Sequence, residues 1–104
     1  MNRYRYWFVA MVFLLLQFCV KAKAQDSSVQ GKTLFERNCV RCHGKNGAKG
    51  FLGAKNLQKS KLRDEQLTEI IANGKQIMPS WKNKLTAEEI SVILAYIKTF
   101  RGVD

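Results

Sequence analysis

Cys39-Val40-Arg41-Cys42-His43 is the part of this chain most able to do chemistry. Two thiols separated by two residues, with an imidazole directly after the second, form the C-x-x-C-H pattern through which c-type haem is covalently attached. The spacing has a mechanical reason. Both thiols must add to the two vinyl groups on one edge of a porphyrin, and the next residue then lies under the iron, where His43 binds through Nε2. Tether and ligand adjacent in sequence give the iron one preset donor and prevent the group from dissociating.

Two other chemistries also use paired cysteines. A zinc site would need a second pair of donors, yet His43 is the only histidine and no cysteine follows Cys42. A redox dithiol normally sits beside a βαβ pattern, and no stretch here alternates like a strand. Haem attachment is the reading these residues favour.

A second axial donor is expected from Met78, 35 residues after His43, within Ile77-Met78-Pro79-Ser80-Trp81. A thioether is a soft, neutral donor suited to low-spin iron, and a His/Met pair raises the reduction potential. Pro79 confines the preceding residue to extended backbone, which helps aim Met78 inward. The competing role for Met78 is that of a flexible core filler. Trp81 is expected at the haem wall, with its indole N–H either reaching a propionate or simply packing.

These residues need elements to hold them. Val29 to Asn38 has helical character with Ser28 as N-cap and Leu34 and Phe35 on its apolar side. Cys39 to Leu57 carries Gly44, Gly47, Gly50 and Gly53 and reads as loop. Asp64 to Asn73 reads as a second helix, with acids in its first turn and Gly74 as its stop. Lys75 to Leu85 is a second loop, and it holds the only proline. Thr86-Ala87-Glu88-Glu89 is a capping box that opens a last helix with Ile90, Ile93, Leu94 and Ile97 in one stripe, closed by Arg101 and Gly102. The expected class is all-α, three main helices joined by two long loops. Loops of that length in a small domain are usually functional, and each carries candidate ligands.

The first 24 residues read differently. Arg3 and Arg5 precede an uncharged, largely apolar run of 13 residues, Phe8 to Val20, and Ala22-Lys23-Ala24 places small residues where a signal peptidase cuts. A membrane-spanning helix needs about 20 apolar residues. The expectation is a cleaved signal peptide over 1–24 and one domain over 25–104, with an uncleaved anchor as the alternative. Phe18 before Cys19 argues against lipidation. The full chain has 18 basic and 8 acidic residues; without Arg3, Arg5, Lys21 and Lys23 the balance is 14 against 8, a net charge of +6. A domain of roughly 80 residues is marginal without a staple, and a disulfide across two residues would constrain the unfolded chain little. A large apolar cofactor bonded to Cys39 and Cys42 would serve as that staple.

The chain resembles the class I cytochrome c family in its short bacterial monohaem form. The matching residues are Gly31, Leu34 and Phe35, then Cys39-Val40-Arg41-Cys42-His43-Gly44, then Met78-Pro79 and Trp81, and last Leu94-Ala95-Tyr96-Ile97, spanning about residues 29 to 101. The resemblance implies a compact cytochrome c fold wrapped around one haem c held by two thioethers. It also implies a close crossing of first and last helices at Gly31, Phe35 and Tyr96. It departs from the family in lacking a proline between residues 45 and 57, where a neighbouring carbonyl usually accepts from the histidine Nδ1–H. A backbone carbonyl between Gly50 and Lys55 is expected to take that place.

Two axial ligands leave no open coordination site, so the expected activity is single-electron transfer rather than catalysis of a substrate reaction. Lys45, Lys49, Lys55, Lys59, Lys61 and Arg63 lie in one acid-free segment, and Lys75, Lys82 and Lys84 in another. Both ligand-bearing loops are therefore positive, which favours redox partners with acidic docking surfaces. The competing role of these lysines is to solvate a small surface. Nucleic acid does not fit an exported chain of this modest charge. The expected protein is a bacterial, periplasmic or otherwise exported monomer, meeting a membrane only indirectly or through an uncleaved anchor. Two alternatives are a permanently docked haem subunit of a dehydrogenase or oxidase, and a gas-binding module whose iron lacks Met78.

Overall fold

The computed structural model describes the backbone of residues 2–101 and the side-chain surroundings of residues 2–15 and 26–101. The element order is α1 (Arg3–Asn38), α2 (Val40–His43), a 3-10 turn (Phe51–Gly53), α3 (Asp64–Asn73) and α4 (Ala87–Lys98), with no strand among the described residues.

The first helix begins much earlier than Ser28. It runs 36 residues from Arg3, because Gln25 to Ser28 contains no glycine or proline to interrupt a helix that the leader has already started. The side chains described over its first turns are exposed: Trp7 by 80% and Phe8 by 73%. The cleavage-site side chains Ala22, Lys23 and Ala24, together with Cys19, lie outside the described residues, as does Gly102. Helix α4 ends at Lys98 with Thr99 as its cap, three residues before Arg101.

Asp64 to Asn73 is helical as expected, and Gly74 ends it with φ 77°. The capping box of α4 is formed in both directions: Glu89 N–H donates to Thr86 Oγ1 at 3.1 Å and Thr86 N–H to Glu89 Oε1 at 3.0 Å. Cys39 to Leu57 is not all loop. A helical turn follows Cys39 at once, and a 3-10 turn forms around Leu52.

The core is built where α1 crosses α4 and α3 closes alongside. Leu34, Phe35, Leu57, Ile71, Ile90, Ile93 and Ile97 form one buried cluster, and only Phe35 and Ile93 are wholly enclosed. Gly31 makes the crossing possible: a Cβ there would stand 2.3 Å from the Val92 carbonyl oxygen. The resulting proximity brings Phe35, Tyr96 and Phe100 together with centroids 5.1–5.4 Å apart, Phe100 edge to face with both other rings and Phe35 tilted on Tyr96. The crossing residues named from the resemblance, Gly31, Phe35 and Tyr96, therefore meet as expected; Phe100 is an unforeseen third ring. Gly31→Ala should force the helices apart and lower stability by about 2 kcal/mol, within the range for overpacking a core. Chemical denaturation would measure it, and an unchanged midpoint would mean the crossing relaxes freely.

Candidate functional site

Cys39 caps both α1 and α2, and the chain turns helically at that point: Cys42 N–H and His43 N–H both reach back to the Cys39 carbonyl, at 3.3 and 3.0 Å. Residues three apart on a helical turn face the same side, so the two thiols share one face with His43 beside the second. Both cysteines are half-buried free thiols. Burial, and secondarily the neighbouring Cys42, push the Cys39 thiol up to about 11. A reactive dithiol needs the opposite, a lowered pKa that yields thiolate near neutrality. Among the described residues no three His, Cys, Asp or Glu side chains converge as a metal cluster would require. The raised Cys39 thiol runs against the redox-dithiol reading of the C-x-x-C pair.

His43 is held from behind. Its Nδ1 lies 3.1 Å from the Lys55 carbonyl oxygen, within the segment expected to supply such an acceptor. A carbonyl only accepts, so Nδ1 carries the proton and donates, which leaves the Nε2 lone pair outward in the neutral ring. Burial lowers the His43 pKa, against the upward pull of the Lys55 hydrogen bond, and the neutral form is the one that can bind a metal. The loop is folded to bring Lys55 there. Lys49 N–H bonds the His43 carbonyl at 2.9 Å, Leu57 N–H returns to the Gly47 carbonyl at 2.8 Å, and Gln58 Nε2 donates to the Asn46 carbonyl at 3.1 Å. Such a support fixes the ring and makes it more electron-donating. Carbonyls carry no side-chain signal, so only the span, not Lys55 itself, was legible in the sequence.

On the other side, Met78 and Trp81 pack against the same core cluster as Cys39 and Val40. The loop bearing them is pinned: Lys75 and Met78 exchange backbone hydrogen bonds at 3.1 and 3.0 Å, and Trp81 N–H bonds the Ile71 carbonyl at 3.1 Å. Ser80 Oγ donates to the Ala72 carbonyl at 2.6 Å. Gly74 has a second role beyond ending α3, since a Cβ there would lie 2.6 Å from the Met78 carbonyl oxygen. The methionine loop folds directly under the helix end, an approach that spacing alone did not reveal. Two half-buried thiols on one turn, a back-bonded imidazole and a thioether on the same core fit a covalent haem in donor chemistry.

The matched family is the cytochrome c oxidase cbb3-type subunit III domain, whose model covers residues 27–97. The chain belongs to the class I c-type cytochromes. It is 32% identical over 95 residues to a cytochrome c6-like protein of Nostoc sp., covering 86% of this chain and 84% of that one. A cytochrome c6 of Rippkaea orientalis is 33% identical over 97 residues, covering 86% and 85%. That of Bryopsis maxima is 35% identical over 82 residues, covering 71% and 90%. As a member of this family the cytochrome has one covalently bound haem c and works as an electron carrier with redox partners, not as an enzyme.

Proposed function

We propose that this chain is the precursor of an exported monohaem carrier in which Cys39 and Cys42 hold the haem, His43 and Met78 ligate its iron, and Trp81 forms part of its wall. The carrying observation is the Lys55 carbonyl behind His43, which orients Nε2 away from the loop. Bound haem supplies a one-electron couple. The chain's own contribution is to hold His43 from behind through the Lys55 carbonyl and Met78 against the core cluster, and to keep water from the apolar side.

A visible spectrum of the matured protein, oxidised, reduced and exposed to carbon monoxide, tests this. A low-spin c-type spectrum indifferent to carbon monoxide is expected. High-spin iron that binds the gas would move the function to ligand binding.

The exposed apolar side chains of residues 4–15, none of which joins the core cluster among the described residues, support removal of residues 1–24. Among the described residues no helix is long and apolar enough to cross a membrane. Mass spectrometry of the exported protein should find Gln25 at its N-terminus; an intact Met1 would favour an anchor.

The nine bases of the two ligand loops are all exposed, and the Lys98–Asp64 ion pair uses none of them. This supports a carrier steered to acidic redox partners, which we propose acts as a monomer. The rate of electron exchange with an acidic partner should then fall about tenfold or more between low and physiological salt. A flat response would leave the lysines as mere solvation. The docked-subunit reading draws on the oxidase domain that the family model describes; stable co-purification with one oxidase would favour it.

A further inference from the structure

Phe51 and Leu52 are 44% and 58% exposed at the tip of the loop that holds His43. Both are large and apolar, and they lie within the acid-free segment from Lys45 to Arg63. The tip is a formed structure: Ala54 N–H closes the turn on the Phe51 carbonyl at 3.1 Å, and Lys49 Nζ sits 5.4 Å from the Phe51 ring centroid. Leu52 occupies the left-handed region, φ 54° and ψ 32°, a conformation that strains any residue with a branched apolar side chain. Glycine or asparagine would hold the same turn without strain. A leucine that is strained where it stands, more than half exposed and outside the core cluster gives the fold little, and strained positions of this kind cluster where proteins meet ligands.

We propose that Phe51 and Leu52 form the apolar centre of a docking surface for an acidic redox protein, with Lys45, Lys49, Lys55 and Lys59 as its charged rim. The inference rests on the electron-carrier reading above and assigns the contact to the histidine-side loop. Charge complementarity commits the occupant: an apolar centre inside an unbroken basic segment fits a protein surface with an apolar patch ringed by carboxylates. The tip lies three residues before the Lys55 carbonyl that holds His43, so a partner seated there is placed beside the ligand loop.

The test uses the matured, haem-loaded protein and an acidic blue-copper protein as probe acceptor, at low ionic strength. Calorimetry reads binding and stopped flow reads oxidation of the reduced cytochrome. Leu52→Gly and Phe51→Ser should each weaken binding and the second-order rate by about tenfold. Val29→Ser, an exposed apolar position on α1 at 62%, should change neither. Oxidation by the small reagent hexacyanoferrate should be the same in all four proteins. Leu52→Gly relieves the left-handed strain, so it should melt no lower than the parent, and its loss of rate cannot be laid to misfolding. The proposal is overturned if the tip variants bind and react like the parent, or if Val29→Ser loses as much. It is also overturned if the tip variants lose only binding to phosphatidylglycerol vesicles, which would make the tip a lipid contact. If the parent itself fails to exchange electrons with hexacyanoferrate, the carrier reading falls, and the docking surface is rejected with it.

Discussion

Cys39→Ala combined with Cys42→Ala should give an exported chain that stains for no haem after denaturing electrophoresis and shows no cooperative unfolding at ambient temperature. Two observations set the size of the effect. In the proposed site covalent attachment runs through these two thiols, so their loss should remove the tether completely rather than weaken it. The polypeptide also has too little core to stand alone. Nine hydrophobic residues are buried among those described, and just two of them are sealed from solvent, whereas a domain of this size needs nearly all of its modest stability from such burial. The stability lost should therefore approach the whole, on the order of 5 kcal/mol. Circular dichroism through a denaturant series would measure it, and a sharp transition in the haem-free variant would show that the helices close without the cofactor. Single substitutions are expected to be milder, since one thioether still tethers the group and His43 still supplies its ligand.

That thin core also explains how much could be read beforehand. Patterns that act locally were legible. The Thr86 capping box, the acids opening α3 and Gly74 ending it each work within a few residues, so the sequence states them directly. The crossing of α1 and α4 was legible through the resemblance, because Gly31 is where two backbones nearly touch. The start of α1 was not: Ser28 has the chemistry of an N-cap, but capping preference is worth only about 1 kcal/mol and cannot end a helix already propagating from Arg3. The helical turn Val40–His43 was hidden by the glycines that follow it, which made the whole stretch look like loop.

At the site, side-chain chemistry was legible and backbone chemistry was not. The residues proposed for the site, Cys39, Cys42, His43, Met78 and Trp81, are named from side-chain type, spacing and the family resemblance. Lys55 acts through its carbonyl, an atom every residue possesses, so only the loop's closure by Leu57, Gln58 and Lys49 could select it. The left-handed Leu52 and Gln76 were likewise invisible, since neither residue type announces a positive φ.

Met78→Leu should keep the fold and open the iron. Met78 is half-buried against the core, and leucine conserves its volume, so the stability change is expected to stay within about 1.5 kcal/mol. What leucine lacks is the thioether. The variant should lose the weak far-red band of methionine-ligated ferric haem, turn partly high-spin, and bind carbon monoxide when reduced. Its reduction potential should fall, because the soft donor that favours the ferrous state is gone. Met78→Ala makes the same spectral change but costs about 2 kcal/mol or more through the space it leaves. The pair separates the two roles a lone methionine can have: a core filler would make alanine harmful and leucine silent, whereas a ligand makes both open the iron and only alanine loosen the fold. A parent-like spectrum in Met78→Leu would remove Met78 from the coordination sphere. His43 and its Lys55 support would then be the one axial set the structure still argues for.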